Sequence, residues 1–240
     1  KQSKLLCSKT IVSIYINPAQ FSPKEDLDSY PETLEDDLAY LEKLNVDAVF
    51  LPSDKEMYPH NKIDFIYKNN LFNKLEGKSR PHFFYGVTKI VSKLFNVVSP
   101  THVFFGEKDA QQSRIIKKMI CDLKLTIDLI SCPTIRDNNG LALSSRNNYL
   151  SFQDQVNASL LYKSLMLVLD AILRGEKKTK TLKVLFEDSI YTSDDIKIDY
   201  ISVACNDTLK ELKTVKPNSL ISAAIFFKKV RLIDNFVYQS

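Results

Sequence analysis

Apolar positions along the chain switch repeatedly between a period of two and a period near 3.6. Thr10–Ile16 (TIVSIYI) is β-branched and aromatic, which predicts a buried strand. Leu34, Leu38, Leu41 and Leu44 then recur at helical spacing, with Thr33 and Asp36 placed as a capping box at the helix start. Val46–Pro52 (VDAVFLP) reads as the next strand, stopped by its proline. After a long polar segment, Val87, Ile90, Val91, Leu94 and Val97 mark a helix over Tyr85–Val98. His102–Phe105 predicts a strand, Asp109–Leu123 a helix and Thr126–Ser131 a strand.

Strands alternating with helices predict a parallel α/β sheet covered on both faces. In such sheets ligands bind beyond the carboxyl ends of the strands. A polar cluster follows each strand: NPAQF (17–21), PSDKEMYP (52–59), GEKDAQQ (106–112) and CPTIRDNNGLALSSRNN (132–148). A parallel sheet would bring all of them to one edge.

From Ser151 the pattern changes. Ser151–Gly175 predicts one long helix, with Ser151 and Asp154 as a capping box and Gly175 as the C-cap. A helix over Thr181–Ile190 and strands over Ile196–Ala204, Ser219–Phe227 and Val230–Val237 follow. Helices followed by strands predict a small α+β domain, so residues 1–148 form one domain and 149–240 another.

Composition narrows the function classes. At 240 residues and 44 % hydrophobic the chain can bury a substantial core. A net charge of +4, scattered over the sequence, gives no basis for a nucleic-acid partner or an anionic membrane. No uninterrupted apolar run approaches ~20 residues, so a membrane span is not expected. Cys7, Cys121, Cys132 and Cys205 form no Cys-x-x-Cys pair and read as reduced thiols in the cytoplasm. His60, His82 and His102 are isolated, and neither Gly-rich nucleotide motif occurs.

Chemistry concentrates in two clusters. At the elbow, Gly106 permits a tight turn, Glu107, Lys108 and Asp109 follow, and a helix begins with Asp109 as its cap. The helix N-terminus and Lys108 make an anion site, and Gln112 points toward the sheet edge. In Gly140–Asn148, Leu143, Ser144, Ser145 and Arg146 combine an apolar contact with hydroxyls and a guanidinium fork suited to phosphate. Capping and a structural ion pair are the plain alternatives for these two clusters. Asn17 and Gln20 are neutral amides at a strand end, and Glu35, Asp36 and Asp37 are acids that either complement a helix dipole or hold Mg²⁺.

Taken together, VSIYINPAQF, EDLDSYPETLEDDLAYLE, EMYP, LEGKSRP, FFGEKDAQQ, PTIRDNNGLALSSRNNYL and VRLIDN resemble the pantothenate synthetase (pantoate–β-alanine ligase) family over the whole length. The resemblance implies a Rossmann-like nucleotidyltransferase domain, a small C-terminal lid domain and a cytoplasmic homodimer. It implies that MgATP activates pantoate as an adenylate, which β-alanine then captures. By position it places Asn17, Gln20 and Gln112 on pantoate, and Gly106, Glu107, Lys108, Asp109, Ile135, Leu143, Ser144, Ser145 and Arg146 on ATP. Lys108, Ser144 and Arg146 would stabilise the developing charge, and Asp36 and Asp37 would meet Mg²⁺.

Two departures accompany the resemblance. The family carries a further strand and a Met-Gly-x-Leu-His-x-Gly-His stretch before the first strand seen here, so the sequence is expected to be part of a longer chain. That strand would lie mid-sheet, and its neighbours without it would each expose an unpaired edge. Phe83 stands where the family has a histidine, with His82 one place early. The alternatives are a member that binds ATP or pantoate without turnover, or an adenylate-forming enzyme for another small acid.

Overall fold

A computed structural model describes residues 1–23, 25–31, 33–59, 66–191 and 195–239. His60 lies outside them. In chain order the first half holds α1 (Gln2–Leu6), β1 (Ile11–Ser13), α2 (Leu34–Lys43), β2 (Ala48–Phe50), α3 (Asp54–Met57), α4 (Leu75–Ser79), α5 (Phe83–Val98), β3 (His102–Gly106), α6 (Ala110–Asp122) and β4 (Asp128–Cys132). The second half holds α7 (Phe152–Ala158), α8 (Leu160–Leu173), α9 (Thr179–Ile190), β5 (Ile196–Cys205), β6 (Ser219–Phe227) and β7 (Val230–Tyr238).

The predicted strands and helices of the first half are present and the strand pairing is parallel, but it does not form one sheet, and the strand foreseen as buried over Thr10–Ile16 is only Ile11–Ser13, with Ile11 and Ser13 exposed. β1 pairs with β2 from Ile11↔Ala48 to Ser13↔Phe50, and β3 pairs with β4 from His102↔Asp128 to Gly106↔Cys132. These are two separate two-stranded sheets, so among the described residues each of the four strands pairs on one side only. Helices α5 and α6 carry the core here: Phe84, Val87, Ile90 and Val91 meet Ile115, Ile116 and Met119. Each such side chain contributes roughly 1.5–3 kcal/mol by leaving water.

The small domain is an antiparallel sheet with β6 in the middle. One face of β6 packs Ile221, Ala223, Ile225 and Phe227 with Leu161, Leu165 and Ile172 of α8 and Leu182 and Phe186 of α9. Leu220, pointing the other way by strand alternation, joins Ile115, Ile116 and Met119. The small sheet is therefore wedged between its own helices and those of the first half. A charged clasp adds to this: Arg231 of β7 donates to Glu76 of α4 at 2.6 and 3.1 Å and to Asp199 of β5 at 3.1 and 2.5 Å.

Four local expectations need correction. Thr33 does not cap α2; its hydroxyl donates to Asp37 at 3.2 Å, and its φ/ψ of −126/34 is not the extended geometry a cap uses. Gly106 needs no special backbone, with φ −70 and ψ 135, because the turn is made by the 3₁₀ segment Glu107–Asp109 after it. Asp109 stands at the N-cap of α6 but its side chain makes no cap bond. The helix foreseen over Ser151–Gly175 is two, α7 and α8, broken at Ser159, whose hydroxyl donates back to Val156 O at 2.6 Å.

The ends of that segment form as foreseen. Ser151 accepts from the Asp154 N–H, and Gly175, at φ 105, closes a Schellman motif with Glu176 N–H on Ala171 O. Phe152–Leu173 has the length and hydropathy of a membrane span. It is nevertheless broken at Ser159, and Leu161, Leu165, Val168 and Ile172 are buried against the sheet, which makes α8 a core helix.

Candidate active site

A cavity of about 850 Å³ opens between the first half and the small domain. Gln20, Lys108, Asp109, Gln112, Leu143, Ser144, Ser145 and Arg146 all line it, drawn from three separate stretches of chain. Parallel pairing of β3 and β4 brings the elbow beside the segment that follows β4, so two of the polar clusters meet at one sheet edge. The remaining predicted residues sit elsewhere. Asn17, Gly106, Glu107, Ile135, Asp36 and Asp37 are not on this wall, and Glu107 faces a second, smaller cavity with Arg114 and Thr134.

Asn17 is buried behind Gln20 with its amide fully engaged. Its Oδ1 accepts from Ala19 N–H and from the Tyr58 hydroxyl at 2.6 Å, and its Nδ2 donates to Gly86 O at 3.1 Å. Asn17 thereby builds the turn that presents Gln20. Gly86 makes this possible: a Cβ there would lie 2.2 Å from Ala19 O and 2.6 Å from Gln20 N, so only glycine lets α5 approach the turn.

The elbow is held from beneath. Gln111 is buried, and its Nε2 donates to Leu71 O and Lys74 O at 2.8 and 2.9 Å. Its neighbour Gln112 is half-buried and lines the cavity, beside the start of the 13-residue helix α6 with its positive dipole end. Lys108 adds a full charge, and no acidic partner for it occurs among the described residues.

Arg146 and Ser145 meet a strap formed by Glu25–Tyr30, while Ser144 Oγ caps their own turn by accepting from the Arg146 N–H. Arg146 grips Asp26 with Nε at 3.0 Å and Nη2 at 2.8 Å. Tyr30 shares a hydrogen bond with Ser145 Oγ, and Tyr149 donates to Asp26 and to Ser29 O. Arg80 holds Glu25 in the same two-pronged way and stacks on Phe83 at 3.8 Å. Burial alone would raise the pKa of Glu25 and Asp26, but the facing guanidiniums outweigh it and hold both carboxyls below the ordinary range. For Arg146 the burial penalty is likewise outweighed by Asp26, so its cation is reinforced. Phe83, not His82, lines the cavity.

Ile135 and Leu143 are exposed at 67 % and 53 % and are joined by a hydrogen bond from Leu143 N–H to Ile135 O at 2.9 Å. Two apolar side chains left open beside a polar cavity suit one face of a flat ring. Not foreseen from sequence are Arg80, Glu25, Asp26, Tyr30, Tyr149, Asp234 and Asn235, all of which line the cavity.

The sequence pattern of the Pantoate-beta-alanine ligase family matches residues 1–237. The chain belongs to the pantoate–β-alanine ligase family. Its relatives include the pantothenate synthetase of Acetivibrio thermocellus, 45 % identical over 230 residues, which are 96 % of this chain and 82 % of that protein. That of Caldicellulosiruptor saccharolyticus is 44 % identical over 239 residues, 100 % of this chain and 85 % of that one. The solved pantothenate synthetase of Thermus thermophilus superposes with a TM-score of 0.95 at 32 % identity, covering 100 % of this chain and 87 % of that chain. The pantoate–β-alanine ligase of Francisella tularensis, solved with β,γ ATP and β-alanine, gives 0.77 at 35 % identity, covering 98 % of this chain and 82 % of that chain. The fold of this family member is thus α/β of the nucleotidyltransferase type, with parallel pairs and a C-terminal antiparallel sheet.

Proposed function

We propose that this cavity joins D-pantoate to β-alanine at the expense of ATP, by way of a pantoyl adenylate. The carrying observation is the convergence of Gln20, Gln112, Lys108, Ser144, Ser145 and Arg146 on one wall system. A carboxylate oxygen attacks the α-phosphorus, and the bond to pyrophosphate breaks. The amine of β-alanine then attacks the acyl carbon, AMP departs, and the amine loses a proton.

Neither step needs a covalent protein nucleophile; both need positioning and charge neutralisation. Gln20 and Gln112 are neutral amides that can hold the hydroxyl and carboxylate of pantoate without repelling it, and Asn17 fixes the turn beneath them. Lys108, the start of α6, Ser144 and Arg146 meet the phosphates, where charge accumulates. Asp109 also lines that wall, Gly106 and Glu107 lead the chain into it, Ser145 adds a hydroxyl, and Ile135 with Leu143 offers the adenine an apolar face.

Magnesium enters this reading as MgATP. Asp36 and Asp37 sit off the cavity wall, and the described residues hold no group of three acids, histidines or cysteines arranged for a metal. That set does not fit a protein-held ion, and no step is assigned to it. Residues 1–148 and 149–240 as body and lid, the homodimer and the cytoplasmic location belong to the same proposal and rest on family membership.

The test is product formation. Protein incubated with ATP, D-pantoate and β-alanine should yield pantothenate and AMP in equal amounts by mass spectrometry. ADP as the nucleotide product, or pantothenate formed without ATP, would overturn the reading.

A further inference from the structure

β7 places two adjacent residues, Asp234 and Asn235, against both phosphate-facing segments. Asp234 is buried at 2 % exposure. Its carboxylate accepts from Arg136 Nη1 at 2.6 Å and Nη2 at 2.9 Å, and from the Asn235 N–H at 2.8 Å. Arg136 also donates to Gly140 O at 3.0 Å, so the hairpin that presents Ile135 and Leu143 is tied to the small domain.

Asn235 holds the elbow. Its Nδ2 donates to Glu107 O at 3.0 Å and to Lys108 O at 2.9 Å, across 128 and 127 residues of sequence. The amide can sit only this way round, because the flipped orientation would set Oδ1 against two carbonyl oxygens. In a trans peptide the C=O and the following N–H point in opposite directions, and the described chain has no cis bond. Fixing the Glu107 and Lys108 carbonyls therefore turns the N–H groups of Lys108 and Asp109 away from Asn235, at the N-terminal end of α6. Asn235 also forms part of the wall of both cavities.

We propose that Asn235 is a positioning residue for nucleotide binding: it sets the two peptide planes of the elbow so that their N–H groups and Lys108 meet polyphosphate. Seating of the small domain, through β7, on the elbow is thereby coupled to affinity for ATP. The inference rests on the functional reading above and adds to it a residue that acts through the elbow.

The test is titration calorimetry of the whole chain with a non-hydrolysable β,γ-methylene ATP, comparing the parent with Asn235→Asp and Asn235→Ala. Losing two net hydrogen bonds predicts about tenfold weaker binding for Asn235→Ala, and more for Asn235→Asp, whose carboxylate would repel the two carbonyls. KM for ATP should rise in parallel, while KM for pantoate stays close to the parent value and the melting temperature falls only by the few degrees that two lost hydrogen bonds cost. Unchanged nucleotide affinity in both folded variants would overturn the inference alone. So would an equal loss toward all substrates accompanied by a larger fall in melting temperature, which marks a merely structural role. A parent chain that binds no nucleotide would instead remove the functional reading, and this inference with it.

Discussion

Arg146 and Asp26 lie 120 residues apart and meet in a two-pronged pair, Nε on Oδ2 at 3.0 Å and Nη2 on Oδ1 at 2.8 Å. This leaves Nη1 as the arm of the guanidinium not engaged by Asp26. The pair fixes the plane of a cation that lines the cavity. Arg146→Ala should lower pantoate-dependent turnover about 100-fold or more, the range seen when one preorganised charge-stabilising donor is lost. Arg146→Lys should restore little of it, because an ammonium cannot hold Asp26 and reach a phosphate together. Steady-state kinetics on both variants, with melting curves as the folding control, would show this. Full activity in Arg146→Lys would count against the fork geometry.

The same strap makes stability depend on acid. Glu25 and Asp26 have folded pKa values depressed below their unfolded values near 4. Their contribution is therefore complete above that range and is lost as the pH falls through the folded values. The melting temperature of the parent should fall more steeply below about pH 4 than that of a Glu25→Gln, Asp26→Asn double variant. Parallel curves would show that neither carboxyl is coupled to folding.

Gly86→Ala tests the close backbone approach beneath Gln20. The new methyl would lie 2.2 Å from Ala19 O, inside any permitted contact. Overpacking of this kind costs about 1–3 kcal/mol, and here the strain falls on the turn carrying Gln20. Urea denaturation should report the loss, and KM for pantoate should rise more than KM for ATP. A neutral Gly86→Ala would mean that the turn moves freely.

The clasp at Arg231 predicts a larger effect. Glu76 and Asp199 share this arginine, and the Glu76 side chain is only 9 % exposed. Removing the cation leaves a nearly buried carboxylate without its partner, a change that costs about 3–5 kcal/mol. Arg231→Ala should lose that much in urea denaturation, while Arg231→Ala with Glu76→Gln should recover part of it. Equal losses in the single and double variants would show that the charge is not the cause.

Much of the first half was legible because its signals are local. β3, α6 and β4 follow from consecutive apolar periods, and Lys108, Ser144, Ser145 and Arg146 stand in compact polar runs at strand ends, where a parallel pair must bring them together. The failures share a different cause. Thr33, Asp109 and Gly106 were assigned the usual local roles of their residue types, whereas tertiary contacts and the 3₁₀ turn decided their geometry. The break at Ser159 carries no period change, since its neighbours keep the apolar spacing of a helix.

Asp26, Arg80 and Asn235 escaped notice for a related reason. Each acts on a partner 55 to 128 residues away, so although all three lie in stretches that carry the family resemblance, nothing local shows which contact they make. Nor does any local signal show that, among the described residues, the parallel strands form two separate pairs rather than one sheet.

Exchange of labelled pyrophosphate into ATP, with D-pantoate present and β-alanine omitted, tests the central claim most directly. The account predicts exchange that requires pantoate and is abolished by Lys108→Met in a protein that still melts normally. Exchange without pantoate, or nucleotide binding with no exchange under any condition, would contradict adenylate formation at this cavity.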